Sequence, residues 1–291
     1  MDSLFNSREI ATGLWLVALI IFASRFKVVR SSIVDVLKAL FTPKLIIPLL
    51  ISFIPTTVVV LVLAYFDLWD MSVLKETIYW VIGTGLVMFG SFTDVKSVKA
   101  LYKKTAKDTL ALIVVLEFLI WFYVFPLWAE LLFVPFVTLL VLLTTMAQYM
   151  KTEGIDLTRK VLNGVQVFVG LVILMFVMVA LIKDPRPLFT YQNLELFLLP
   201  LVLSFTYAPS VYLLALYSKY ELAFNRINHF TTLSKKDKNA IKWATIKRCG
   251  LSVSVTGEII RHLAINLSND TTKAQALKLV RNFDPKQPSF L

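Results

Sequence analysis

The chain has 291 residues, of which 57% are hydrophobic and 17% charged, with a formal net charge of +11 and a mean hydropathy of +0.73. Soluble domains carry about 25% charged residues, so the composition argues against a disordered chain, a disulfide scaffold or an ordinary soluble enzyme. The single cysteine, Cys249, excludes an intrachain disulfide and a thiolate metal cluster, and no cofactor is expected.

The start, MDSLFNSREI, has no basic stretch ahead of the apolar run and no small-residue cleavage site after Ile21. The first run is therefore expected to be a permanent span and not a cleaved signal. A hydrocarbon core of about 30 Å needs roughly 17–25 helical residues. Seven apolar runs approach that length: Ile10–Ser24, Leu45–Tyr65, Ile78–Phe92, Leu110–Phe125, Leu131–Met150, Val165–Ile182 and Leu194–Ser218. With the N-terminus outside, 26 of the 30 lysines and arginines fall on the inner side, the bias that orients membrane proteins. The expected fold class is all-α: a polytopic helix bundle over 1–218, N-out and C-in, followed by a small basic helical cytoplasmic domain over 219–291. Continuous runs of this length suit helices and not barrel strands.

Between the first two spans, SSIVDVLKALF reads as a short interfacial helix ending before Pro43, with no specific role assigned. In TDVKSVKALYKKTAKDT, residues 93–109, Lys96, Lys99, Lys103 and Lys107 fall on one helical face, with Thr93 as the expected N-cap. That face suits anionic headgroups or a phosphate-bearing ligand.

Within the spans the polar residues are few. Glu117 in IVVLEFLIWF is an intramembrane carboxylate, expected either to form an ion or proton site or to hydrogen-bond between helices. Thr138, Thr145 and Gln148 form a stripe on the fifth run, and Ser204 and Tyr207 lie on the seventh, where Pro200 and Pro209 are expected to break the ladder. Each stripe can line a pore or act as interhelical glue. Arg186, between two prolines of the outer loop KDPRPL, can form a cationic mouth or simply end a helix.

The tail from residue 219 carries 13 basic residues against five acids. Ser234 and Gly250 bracket a helix over Lys235–Cys249. GLSVSVTGEIIRHL then has the turn chemistry of a helical hairpin. Thr256 and Gly257 sit where a DNA-reading helix-turn-helix requires an apolar residue and a helix former, so no duplex DNA partner is expected. Lys235, Lys236, Lys238, Lys242, Lys247 and Arg248 are the candidate polyanion ligands, with Trp243, His262 and Phe283 available for stacking or for a core. There is no glycine-rich phosphate loop, no H-E-x-x-H and no triad pattern, so an enzyme is not expected.

The runs FPLWAELLFVPFVTLL and RKVLNGVQVFVGLVIL, with YSKYELAFNRINHF and AIKWATIKRCGLSV of the tail, resemble bacterial multi-pass inner-membrane proteins of undescribed role, over roughly Phe125 to Ser252. Proteins of this build are similar to membrane effectors of anti-phage systems such as Hailong, in which a nucleotidyltransferase is paired with an oligodeoxyadenylate-controlled anion channel. The resemblance implies a tetrameric, nucleic-acid-regulated channel that collapses the membrane potential, and it assigns no role to an individual residue. The residues and the resemblance together lead us to expect a homo-oligomeric inner-membrane ion channel that conducts anions. A nucleotide or single-stranded oligonucleotide would gate it. The alternatives are a carrier using Glu117 and a non-conducting membrane subunit whose tail recruits a partner.

Overall fold

The computed structural model describes residues 5–109, 119, 123–150, 155–185, 190–229, 233–268 and 270–284. Its helices are α1 (Ser7–Ser24), α2 (Lys27–Leu40), α3 (Pro43–Tyr65), α4 (Leu74–Trp80), α5 (Leu86–Gly90), α6 (Val98–Thr109), α7 (Leu127–Tyr149), α8 (Ile155–Lys183), α9 (Tyr191–Asn228), α10 (Lys235–Cys249), α11 (Val253–Asn266) and α12 (Lys273–Arg281). Six segments are long and apolar enough to cross a membrane: Ser7–Ser24, Pro43–Tyr65, Met71–Gly90, Leu127–Tyr149, Ile155–Lys183 and Asn193–Asn228. The described residues are thus all-α, with six candidate membrane spans among them. Most of the run Leu110–Phe125, including Glu117, falls outside the described residues, as does Arg186.

Several boundaries differ from the sequence expectation for local reasons. The third candidate span starts at Met71 and is not one regular helix. A 3-10 turn over Met71–Val73 leads into α4, a π-helical turn follows over Val81–Gly85, and α5 completes it. The helix α9, which contains Pro200 and Pro209 as the seventh run does, runs on past Ser218 to Asn228. Tyr220, Phe224 and Ile227 recur at helical spacing there and pack into the core of the tail, which sustains the helix. Lys96 precedes α6 and so does not share the face of Lys99, Lys103 and Lys107. Thr93 sits in a 3-10 turn, and the hydroxyl of Ser97 instead accepts the Ala100 N–H at 3.1 Å.

The chain divides into two compact units, Met1–Leu45 with Ala111–Leu194 and Ile46–Leu110 with Glu195–Leu291. In the first, α1 packs on α7 and α7 on α8. Pro135 lies inside α7 and lacks the N–H that would bond the carbonyl of Leu131. The indole N–H of Trp15 on α1 donates to that carbonyl at 2.9 Å. At the other end of α7, Arg159 of α8 donates to the carbonyls of Ala147 (2.7 Å), Gln148 (3.4 Å) and Met150, and to Asp156 Oδ1 at 3.0 Å. A guanidinium thus covers carbonyls that have no helical donor.

The second unit has two cores. One gathers Leu203, Tyr207 and Val211 of α9 with Val73, Trp80, Leu101 and Val253. The other joins the end of α9 to the tail through Ile227, Ile241, Ile259, Leu263, Val280 and Phe283. The tail helices have side-chain N-caps. Ser234 accepts the Asp237 N–H, Ser252 accepts the Val255 N–H, and Thr272 forms a reciprocal capping box with Gln275. Gly250 closes α10 at φ +55°, a backbone region that suits glycine.

Candidate functional site

On α7 the two sides of the helix differ. Leu140, Thr144 and Ala147 are buried, whereas Thr138 and Thr145 are exposed on the other side and Gln148 is exposed at its border. The hydroxyls of Thr138 and Thr145 donate to the carbonyls of Val134 and Val141 one turn back, both at 2.8 Å. Their oxygen lone pairs, and the Gln148 amide, therefore face outward along a candidate span.

Ser204 and Tyr207 are enclosed in the second unit. Ser52 of α3 donates its proton to the Leu49 carbonyl at 2.7 Å, so Tyr207 is the donor in the 2.8 Å contact between their hydroxyls. Ser204 likewise donates to the Pro200 carbonyl at 2.7 Å and accepts the Trp80 indole N–H at 2.9 Å. Phe53 stacks on Tyr207 with ring centroids 4.9 Å apart and meets Trp80 edge-on at 6.4 Å. Both hydroxyls act as interhelical ties.

The first unit contains a charged site. Glu130, in the first turn of α7, is fully buried. The guanidinium of Arg8 on α1 faces it side-on, with Nε 3.1 and 3.2 Å from the two carboxylate oxygens and a terminal nitrogen 2.8 Å from Oε1. The Phe125 N–H adds a bond to Oε1 at 3.0 Å, and the start of a helix favours a negative charge there. Ala11, one turn from Arg8, is completely buried.

In the second unit, Lys99, Lys103 and Lys107 form an exposed row on α6 opposite buried Leu101 and Thr105, and Lys96 is exposed just before the helix. On α10 the cations divide by role. Lys235, Lys236 and Lys247 are exposed. Lys238 donates to the Asn228 carbonyl at 3.0 Å, Lys242 lies 5.6 Å above the Phe224 ring, and Arg248 donates to the Phe283 carbonyl at 2.9 Å. Those three hold α10 in place. Trp243 is exposed, whereas Phe283 is buried with its ring 5.3 Å from that of His262.

Between α11 and α12 lies an open pocket of about 530 Å3, lined among others by His262, Asn266, Asp270, Lys278 and Asn282. That volume lies within the range of small-molecule sites. Two tyrosines of α9 grip the turn that leads into α11. Tyr220 donates to the Gly250 carbonyl at 2.6 Å and Tyr212 to that of Leu251 at 2.5 Å. Cys249 is buried, and its thiol is pushed up to about 11 chiefly by loss of solvent, which makes it a poor nucleophile at neutral pH.

Sequence reasoning missed Glu130, Arg8, the pocket and α12. The pattern T-x-x-Q at Thr272–Gln275 is the signal that marks α12. Nothing local marks Arg8 and Glu130 as partners across 122 positions. Comparison with protein-family models, with curated proteins and with solved structures gives no match to this chain.

Proposed function

We propose that the protein is one subunit of a homo-oligomeric channel in a bacterial inner membrane, with its N-terminus outside and its basic tail in the cytoplasm. The channel passes anions and acts as a defence effector, with a tetramer as the preferred assembly. The observation that carries this reading is the outward stripe of Thr138, Thr145 and Gln148 on a span whose opposite side is packed. Polar side chains inside a membrane face a protein interior or water and not lipid, so copies of the chain meeting at this stripe would enclose a hydrated conduit. Ser204 and Tyr207, being enclosed, do not contribute to it.

The gate in this reading is the tail. A nucleotide or a single-stranded oligonucleotide binds at the α11–α12 pocket, where Lys278 meets phosphate and the amides of Asn266 and Asn282 meet a base. Exposed Lys235, Lys236 and Lys247 extend the cationic surface. The hydrogen bonds from Tyr212 and Tyr220 support a coupling between that pocket and α9. Gating follows if the ligand favours one position of α9 over another.

The test is the protein in potassium-loaded liposomes with a potential-sensitive dye, with and without oligodeoxyadenylate. The expected result is loss of potential on adding the oligonucleotide, reduced in a Thr138→Val, Thr145→Val, Gln148→Leu variant. An unchanged potential under both conditions overturns the channel. An unaffected triple variant moves the conduit away from α7.

A further inference from the structure

Helix α2 stands apart from the others because none of its 14 residues is buried. Five of its apolar side chains nonetheless share one face, with Val28 and Val34 outside it. Val29, Ile33, Val36, Leu37 and Leu40 fall within an arc of about 100°, and all five are exposed. Lys27, Ser31, Asp35 and Lys38 fall on the opposite arc, and Arg30 borders the apolar one.

The connections at its two ends limit where this helix can be. Only Arg25 and Phe26 separate it from α1, and only Phe41 and Thr42 separate it from α3. Both neighbours are candidate spans. A helix of this length is about 21 Å long, shorter than the roughly 30 Å hydrocarbon core, and it carries Arg30, Asp35 and Lys38 along its length. It is too short and too charged to cross, so if α1 and α3 span, α1 ends and α3 begins on the same membrane face. Two-residue links reach about 7 Å, which keeps both ends of α2 at that face. Phe26 and Phe41 flank the helix and are exposed, and phenylalanine is among the residues that interfacial helices bury at the acyl boundary.

Charge identifies the kind of surface. Residues 25–44 hold Arg25, Lys27, Arg30, Lys38 and Lys44 against the single acid Asp35. Cations on one side of an in-plane amphipathic helix are the pattern that binds anionic headgroups.

We propose that α2 lies in the plane of the membrane surface, with its Val29–Ile33–Leu37–Leu40 face in the acyl boundary and its basic residues on anionic lipid headgroups. The inference depends on α1 and α3 being spans and is independent of conduction.

The test uses the full chain in vesicles of phosphatidylcholine with or without phosphatidylglycerol. A polarity-sensitive fluorophore is placed on a cysteine substituted at Leu37, Ser31 or, in α1, Ile20. The wild-type chain, with its buried Cys249, is the labelling blank. Bromination of the lipid acyl chains reads depth. The label at Ile20 should be quenched in every vesicle; if it is not, the membrane placement of α1 fails and not the lipid contact of α2. With Ile20 quenched, the proposal expects a blue-shifted, bromine-quenched label at Leu37 and neither change at Ser31. The contrast should be strongest with phosphatidylglycerol and should lose that lipid preference in a Lys27→Gln, Arg30→Gln, Lys38→Gln variant. A water-like label at Leu37 overturns the proposal. So does an environment that follows protein-to-lipid ratio, which would put a second copy on this face. A phosphatidylglycerol preference that persists in the triple variant overturns the headgroup contact.

Discussion

In the unit holding α1, α7 and α8, the most buried polar tie between helices is ionic: a fully buried carboxylate at Glu130 faces the guanidinium of Arg8. In the unit holding α3, α4 and α9, the corresponding ties are neutral, two hydroxyl–aromatic hydrogen bonds within a stack of three rings. Apolar burial holds membrane helices together weakly, because lipid tails are as apolar as leucine. Both units therefore use polar ties, with different consequences for substitution. A neutral hydrogen bond can be removed at modest cost. An ion pair taken out of water is costly to break from one side and cheap to replace as a whole.

The largest expected effect follows from that asymmetry. Glu130→Ala leaves the Arg8 guanidinium facing a space without its carboxylate, and the expected loss is about 3–5 kcal/mol. The double variant Arg8→Met, Glu130→Met should recover most of it, as replacing a buried pair with apolar residues is often close to neutral. Unfolding midpoints of the two variants in detergent micelles provide the check. If the double variant is as unstable as the single, the pair contributes directional contacts that methionines cannot replace, and the contrast between the units narrows.

In both units the sequence shows what is local and hides what depends on distant partners. Hydropathy locates the candidate spans because twenty apolar residues carry their own signal, and Ser234 and Gly250 bound α10 because caps are local chemistry. The Arg8–Glu130 pair is hidden for the opposite reason. Glu130 sits at the edge of an apolar run, where an acid ordinarily meets solvent, and its meaning comes only from a cation 122 positions away. Lys96 was misplaced because a four-lysine periodicity continues through the point where the backbone leaves the helix, and periodicity alone does not register a 3-10 turn. The far end of α9 was obscured by charge. Lys219 reads as the end of a span, yet Tyr220, Phe224 and Ile227 extend the apolar face into a second core. In the candidate site, the outward stripe of α7 was visible as a spacing, but which side of the helix packs inward was not.

In the neutral unit, the next expected effect is steric. A Cβ on Gly85, within the π-helical turn, would meet Phe53 Cε1 at 3.0 Å and Cζ at 3.1 Å. Phe53 cannot withdraw freely, because it is stacked on Tyr207 and edge-on to Trp80. Gly85→Ala should therefore cost about 1–3 kcal/mol, the usual penalty for overpacking, seen as a lower thermal midpoint in micelles. Tyr207→Phe keeps the stack and removes one hydroxyl. Its expected cost is about 0.6 kcal/mol, the average for interhelical hydrogen bonds in membranes. A cost near that of Glu130→Ala would mean that the neutral network acts as a unit and would remove the distinction between the two modes.

The smallest expected effect comes from an ion pair at the surface, between Asp237 of α10 and Lys273 of α12, at 2.8 Å. The hydrogen bond from Lys273, and then that from the Ser234 hydroxyl, hold the Asp237 carboxyl below its ordinary value. The unfolded chain therefore takes up the proton first as pH falls. Whatever this carboxylate contributes is complete above the ordinary aspartate range, near 3.9, and is lost as pH falls through its depressed value in the folded chain. Asp237→Asn should leave the unfolding midpoint at pH 7 almost unchanged, since solvent and salt screen an exposed pair. It should also flatten the acid limb of a stability–pH curve compared with the parent chain. A loss at pH 7 comparable to that of Glu130→Ala would show that distance, and not burial, determines what an ion pair contributes in this protein.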